Sequence, residues 1–380
     1  MNERIVDVVV VGGGIGGAAA ALRAAQYHLE TVWVTGDGQT AKASRAAYVA
    51  NIDNMIGIHP GIMRKKVLGL LEAPGNASAR ALVEGAHVHV GTREIVENVL
   101  ERLADEYPAV ARAVPEAAVA ARREDDVFEV ETGGGARLRA RALVLATGVM
   151  DVQPRIRATT PRGRVVDEIH WIYPWANHET VLYCVRCEGH LTRGTRSVVI
   201  GAGEEAGQIA LMLVERYHTD VRLLTNGEAP GFAEDTRTLL DAYGVEIHQT
   251  RITGIRDGGE QPRGSSLDGF ELEDGTVVEA RFAFVSMGLY EVYNVLARQL
   301  GAELEDADAP EHLRHVLVED RTSETSVRGL FAVGDMAKRR DGGPLMKQVY
   351  AAQEFAVRAV DTIDRRRRRA RRARVLSKRG

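Results

Sequence analysis

The first clear pattern in the chain is apolar. Ile5 to Val11 is hydrophobic except for Asp7, which predicts a short buried strand. Gly12-Gly13-Gly14-Ile15-Gly16-Gly17 follows, then an alanine-rich stretch through about Ala25, the pattern of a tight turn opening a helix. Thr31 to Thr35 reads as a second strand. Ile95, Val99, Leu100 and Leu103 recur at helical spacing between Thr92 and Tyr107. Val127 to Val130 and Leu138 onward flank Gly133-Gly134-Gly135 as a hairpin, and Ala142 to Leu145 is a buried strand ending in Ala146-Thr147-Gly148. The strand–turn–helix pattern then returns: Ser197 to Ile200, the turn Gly201-Ala202-Gly203-Glu204-Glu205-Ala206-Gly207 opening a helix, and a strand at Val221 to Leu224. Val245 to Ile255 and Phe270 to Phe284 read as strands, with turns at Asp257-Gly258-Gly259 and Asp274-Gly275. Leu330 to Val333 delivers Gly334-Asp335 at a strand end, and Lys347-Gln348-Val349 begins a helix running to about Ile363. This alternation predicts an α/β fold with two Rossmann-like dinucleotide-binding units.

Both glycine turns have the G-x-G-x-x-G/A form, in which glycines let the backbone turn and approach a pyrophosphate held at the helix N-terminus. After the first turn, Asp37 lies twenty residues beyond Gly17, placed for a ribose hydroxyl. After the second, the ligand stays open. Gly201, Gly203 and Ala206 give the right shape, but Thr225-Asn226-Gly227-Glu228 follows the second strand, with no arginine for a 2′-phosphate and an acid that comes late for a ribose. Ala50 to Gly57, including Asn54, is too apolar for a plain exposed loop and could fold over a bound ring.

Composition narrows the class. The chain has 380 residues, 45% hydrophobic, with 39 glycines and a formal charge of −4. Residues 365–380 hold ten of the 49 Lys and Arg and no acid, so an acidic body carries a basic tail. That tail reads as a solvated, disordered extension, with contact to nucleic acid or anionic membrane as the sharper alternative. No apolar run approaches the roughly 18 residues of a membrane-spanning helix. Asp7 and the glycine cluster interrupt what could otherwise pass for a signal peptide. Two cysteines cannot form a secreted disulfide scaffold, so the expected location is cytoplasmic.

Those two cysteines carry the candidate chemistry. Cys184-Val185-Arg186-Cys187-Glu188-Gly189-His190 spaces its thiols so that they can close and reopen a small ring, and a neighbouring cation favours the attacking thiolate. Structural zinc would need a fourth ligand beyond Cys184, Cys187 and His190, and haem attachment would need histidine where Glu188 stands. Two inert buried thiols are a further reading. A redox disulfide is the reading adopted, with no metal expected.

Taken in order, these residues resemble the low-molecular-weight thioredoxin reductases and their relatives among the flavoproteins with two dinucleotide-binding domains. The resemblance covers about Val6 to Ile363 and rests on Gly12 to Gly17, Ala146-Thr147-Gly148, Cys184 to Gly189 just ahead of Gly201 to Ala206, and Gly334-Asp335 followed by Lys347-Gln348. It implies an FAD domain over residues 1–155 and 284–364, interrupted by a smaller NAD(P)-type domain over 165–283 that carries the cysteines. It further implies FAD contacts from Gly12, Gly13, Gly14, Gly16, Gly17, Asp37, Asn54, Thr147, Gly148, Gly334, Asp335, Lys347, Gln348 and Val349. Cys187 would face the flavin, Cys184 would attack the partner, and Glu188 would hold the proton-donating role of the family's acid.

The expected function is FAD-dependent thiol–disulfide exchange with thioredoxin or a similar disulfide, in a homodimer. The alternatives are a dithiol oxidase that closes a disulfide in a small molecule with oxygen as acceptor, and a redox-responsive flavoprotein that binds nucleic acid or membrane through its tail. Three features depart from the family: the arginine motif for NADPH is absent, the tail is unusual, and roughly 35 residues separate Gly148 from Cys184. That interval contains Trp171, Tyr173 and Trp175, read as domain packing or as a cover for the flavin or a partner site. NAD(P)H as donor is therefore open.

Overall fold

Valine-rich Ile5–Val11 forms the first strand, β1, and its neighbours are built on it. The computed structural model describes residues 4–38, 44–45, 52, 55, 90–159, 165–168, 173–176, 180–261, 264–288, 290–306, 308–343 and 345–378. Asn54 and Trp171 lie outside them. The chain divides into two compact units, Met1–Met150 with Glu291–Gly380, and Asp151–Tyr290.

In the first unit, β1 leads to α1 (Ile15–Gln26), β2 (Thr31–Val34), α2 (Thr92–Glu106) and β3 (Ala111–Val114). A hairpin of β4 (Ala118–Glu124) and β5 (Val127–Thr132) then delivers β6 (Arg137–Leu145). The sheet order is β3-β2-β1-β6-β5-β4. β3, β2, β1 and β6 run parallel, and the hairpin adds antiparallel strands at the N-terminal half of β6. The chain order reverses at β1, the switch point where α/β sheets bind ligands beyond their strand ends. Val8, Val9 and Val10 are fully buried, as expected of a strand covered on both faces.

The second unit has its own parallel sheet. Its elements are β7 (Val181–Leu182), α3 (Val185–Glu188), β8 (Arg196–Ile200), α4 (Glu204–Tyr217), β9 (Asp220–Leu224), α5 (Glu234–Ala242) and β10 (Glu246–His248). An antiparallel meander follows, β11 (Ile252–Gln261), β12 (Gly264–Leu272) and β13 (Val277–Glu279), before β14 (Phe282–Val285) returns to the parallel sheet. That sheet runs β7-β14-β8-β9-β10. The two long strands expected over Val245–Ile255 and Phe270–Phe284 are thus each interrupted, and Asp257-Gly258-Gly259, expected as a turn, lies within β11, where the pairing with β12 is irregular. Leu182, Val185, Val199, Leu211, Leu223 and Phe284 share one buried core.

The chain re-enters the first unit and adds β15 (Leu330–Ala332), parallel to the C-terminal half of β6. The terminal helix α6 (Val349–Ser377) lays Ala356, Ala359, Val360 and Ile363 in one core with Ala18, Ala21 and Ala25 of α1 and with Val99 and Leu103 of α2. Alanines on the facing sides let the backbones approach closely.

α6 does not stop near Ile363. It continues through the arginine run to Ser377, because arginine is a good helix former and the first cations past the core find partners. Arg366 Nη2 donates to Glu324 Oε2 at 2.6 Å, Arg367 pairs with Asp7 at 2.9 Å, and Arg368 Nε donates to Asp364 at 2.7 Å. From Arg369 to Lys378 every residue is exposed. Among the described residues no helix is long and apolar enough to cross a membrane.

Candidate functional site

The turn between β1 and α1 is built by close approach. Gly12 has φ +125°, and a Cβ there would lie 2.1 Å from the Ala146 carbonyl oxygen. On Gly17 a Cβ would lie 1.9 Å from the Gly12 carbonyl oxygen, and on Gly13 2.2 Å from that of Thr35. Gly14 is different: among the described residues nothing lies within 4 Å of its Cβ position, so they leave this face of the turn open. Gly14 is also the N-cap of α1, with no side-chain cap and no acid in the first turn. The first amides of α1 therefore point to a positively polarised helix end that no described side chain caps, which fits a pyrophosphate.

One residue beneath this turn escaped the sequence reading. Trp33 is fully buried in β2, and its Nε1 donates to the Gly12 carbonyl at 2.9 Å. A tryptophan in the strand beside a glycine turn is the only local signal of such a bond. Asp37, just past β2, is exposed.

Two other strand ends meet the same rim. Ala146 N donates to Val11 O at 2.7 Å, which pins the end of β6 to the end of β1. Thr147 Oγ1 donates to the Tyr293 carbonyl at 2.6 Å, and Tyr293 N returns a bond to Gly148 O at 3.1 Å. At the end of β15, Gly334 Cα lies 3.6 Å from the Cβ position of Gly16, and Asp335 follows in a helical turn, Gly334–Met336. Gln348 is buried and caps α6, with Val349 as its first residue. Gly334, Asp335 and Lys347 line a cleft of about 280 Å³ together with Lys338, Met346 and Tyr350. The structure thus gathers Gly12–Gly17, Thr147–Gly148 and Gly334–Asp335 at neighbouring strand ends, with Lys347 on the adjoining cleft.

Next to that cleft lies a buried ionic group that no motif signals. Glu305 accepts from Lys338 Nζ and, at 2.9 Å, from His315 N, and its Oε1 lies 2.6 Å from His315 Nδ1. Burial pushes the Glu305 carboxyl up, but the bonds from Lys338 and His315 outweigh it and lower its pKa to about 2. Burial, with Lys347 nearby, lowers the His315 pKa, so the imidazole is neutral and Lys338 balances the Glu305 charge.

In the second unit Cys184 and Cys187 are joined as a disulfide, with Cα atoms 5.2 Å apart. Cys184 is the N-cap of α3, and its Sγ accepts from Cys187 N at 3.2 Å. Glu188 Oε2 accepts from Cys184 N at 3.4 Å, so the carboxylate folds back over the pair. α3 is anchored by Val185 in the core and by Gly189, where a Cβ would lie 2.6 Å from the Tyr217 ring. Just before it, buried Tyr183 donates from its hydroxyl to Gln153 Oε1 at 2.8 Å. Both sulfurs are committed to each other in this structure. Among the described residues no cluster is placed to hold a metal ion.

The second glycine turn has the expected form. A Cβ on Gly201 would lie 1.9 Å from the Ser286 carbonyl oxygen, Gly203 caps α4, and Ala206 is fully buried against Gly201. Unlike α1, α4 carries two acids in its first turn, Glu204 and Glu205.

Comparison with known proteins gives a consistent result. A family model described as pyridine nucleotide-disulphide oxidoreductase matches residues 6–356. A component of the alkyl hydroperoxide reductase of Pseudomonas aeruginosa is 27% identical over 331 residues, covering 87% of this chain and 53% of that protein. The chain thus spans about half the length of the alkyl hydroperoxide reductase relatives it matches. Thioredoxin reductase from Treponema pallidum is 25% identical over 343 residues, covering 88% of this chain and 90% of that one. Among solved structures, thioredoxin reductase from Streptococcus pyogenes matches with TM-score 0.67 at 17% identity, covering 94% of this chain and 97% of its own. An oxidoreductase from Agrobacterium tumefaciens matches with TM-score 0.66 at 23% identity, covering 95% and 98%. At those identities the structural likeness is one of fold.

Proposed function

The chain belongs to the pyridine nucleotide-disulphide oxidoreductase family, and from that premise we propose that it exchanges electrons between FAD and the disulfide of thioredoxin or a thioredoxin-like protein through Cys184 and Cys187. The observation that carries this reading is the Cys184–Cys187 disulfide, set on a short helix directly ahead of a second glycine turn. The Treponema pallidum relative, a thioredoxin reductase that the chain matches over nearly its whole length, supports the choice of partner.

FAD, when bound, supplies a carrier that can take up or give two electrons. The first unit fits it: the open face at Gly14 and the uncapped start of α1 suit its pyrophosphate, and Asp37 suits a ribose hydroxyl. Thr147, Gly148, Gly334, Asp335, Lys347, Gln348 and Val349 would hold the rest. Asn54 lies outside the described residues.

The work of the cysteines follows from their surroundings. Two electrons and two protons open the disulfide to two thiols. Cys184 is the attacking residue, because its sulfur receives the Cys187 N–H, a bond that favours the thiolate. Its thiolate attacks one sulfur of the partner disulfide, forms a mixed disulfide and expels the partner's other sulfur as a thiolate. Glu188, held beside Cys184 by its backbone amide, takes up the proton that Cys184 loses on becoming a thiolate and passes it to that leaving sulfur. Cys187 then attacks the Cys184 sulfur, releases the reduced partner and restores the ring.

Anaerobic reductive titration tests the scheme. The wild type should accept two electron pairs, one for flavin and one for the disulfide, while Cys184→Ser and Cys187→Ser should accept one. Cys187→Ser should trap a mixed disulfide with thioredoxin and Cys184→Ser should not. Full turnover in both variants would move the chemistry away from this pair.

A further inference from the structure

The second dinucleotide unit supplies its own anions. In a working unit of this fold the pyrophosphate lies at the N-terminus of the helix that follows the glycine turn. At that end of α4, Glu204 Oε1 accepts from Thr236 Oγ1 at 2.6 Å and from Gln208 Nε2 at 2.8 Å. Its Oε2 accepts from Ala233 N at 2.7 Å. The hydrogen bond from Thr236, then those from Ala233 and Gln208, lower the Glu204 pKa and keep it ionised. Glu205 stands over the turn itself. Its Oε2 lies 3.3 Å from the Cβ position of Gly203 and 2.8 Å from that of Gly288, the glycine shortly after β14. The space opened by two missing side chains is therefore taken by a carboxylate.

The far end of the unit does not offset this charge. Asn226 donates from Nδ2 to Arg155 O at 2.8 Å and accepts from Ile252 N at 2.9 Å, so its side chain is engaged within the fold. Arg251 lays its aliphatic stem against Gly227, with Cγ 2.7 Å from the Cβ position there, and Glu228 adds another acid. Arg251 thus stands beside Glu228 at one end, while Glu204 and Glu205 stand at the other.

We propose that Glu205, backed by Glu204, is a specificity-determining residue that bars pyridine dinucleotides from the glycine turn of this unit. This deepens the function proposed above, since it concerns which reductant serves the same flavin and disulfide. A pyrophosphate entering here meets like charges in place of an open helix end, and moving an exposed glutamate aside leaves its charge within screening distance.

Calorimetric titration of the oxidised, FAD-loaded full chain with NADPH and with NADH tests this, comparing the wild type with Glu205→Ser and Glu205→Gln. The wild type should show no saturation below millimolar nucleotide. Glu205→Ser should bind at least about tenfold tighter. Glu205→Gln, which removes charge and keeps bulk, should show a smaller gain. Saturation of the wild type at micromolar nucleotide would overturn the proposal. So would a serine variant of intact circular dichroism and flavin content that binds no tighter. If the serine variant fails to fold, the isosteric glutamine variant decides by the same criterion. Binding is read without any disulfide partner, so failure here leaves the thiol chemistry standing, and failure of the thiol chemistry leaves this result unchanged.

Discussion

Replacing Trp33 with phenylalanine isolates a bond that holds the first glycine turn. The indole is fully buried, and its one polar hydrogen goes to the Gly12 carbonyl at 2.9 Å. Phenylalanine leaves that carbonyl without its partner, at a cost of about 1–3 kcal/mol. The smaller ring also leaves a void, which adds on the order of 1 kcal/mol. A total of about 2–4 kcal/mol is a large share of the roughly 5–15 kcal/mol that stabilises a typical domain. Urea unfolding followed by far-UV circular dichroism measures the loss, and equilibrium dialysis measures flavin affinity per folded molecule. Leu29→Ala is the control, because Leu29 is equally buried in the same core but touches no group of the turn through a hydrogen bond. It should cost about 2–5 kcal/mol and leave flavin affinity unchanged, whereas Trp33→Phe should weaken both. A Trp33→Phe protein within about 0.5 kcal/mol of wild type, with unaltered flavin affinity, would refute the reasoning.

Three further outcomes follow from the same geometry. Gly12→Ala forces a side chain into a positive-φ site 2.1 Å from the Ala146 oxygen, so the protein should be recovered without flavin, as its visible absorbance will report. The Glu305 pKa falls from 4.5 unfolded to about 2 folded, so its stabilising contribution is present above pH 4.5 and lost as pH drops toward 2. Acid unfolding should show that limb, worth up to about 3 kcal/mol, and Glu305→Gln should lack it. Arg366→Ala should cost about 1 kcal/mol, because its guanidinium is partly exposed while Glu324 is largely buried; thermal unfolding will register the change.

What could be read in the sequence depended on how local its cause is. Strand, turn and helix at Val11–Ala25 and at Ile200–Ala206 are set by residues adjacent in the chain, since steric limits on the backbone act within a few positions. The cysteine pair is equally local, its two sulfurs being three residues apart. The length of α6 was not legible. Apolar periodicity ends at Ile363, and the next turns are held by Glu324 and Asp7, which only the folded chain brings near. Trp33 and the Glu305–His315–Lys338 group are hidden for the same reason, since each joins strands whose register is a property of the sheet. Glu205 was visible as a letter in a permitted position of the glycine motif. Its charge acquires meaning only once Gly203 and Gly288 are seen to leave it room.

The continuity of α6 has a consequence for local opening. One helix of 29 residues, about 44 Å long at 1.5 Å per residue, begins at the cap residue Gln348 and ends beyond the last arginine of the helical run. Its first half opens only by exposing Ala356, Ala359 and Val360, so those amides should exchange with solvent on the timescale of global unfolding. The bare stretch past Arg368 exposes nothing new when it frays, and its amides should exchange many orders of magnitude faster. The position along the rod where protection collapses therefore measures how firmly Arg366, Arg367 and Arg368 clamp it. Raising the ionic strength, which loosens those three clamps, should move that boundary back toward Ile363.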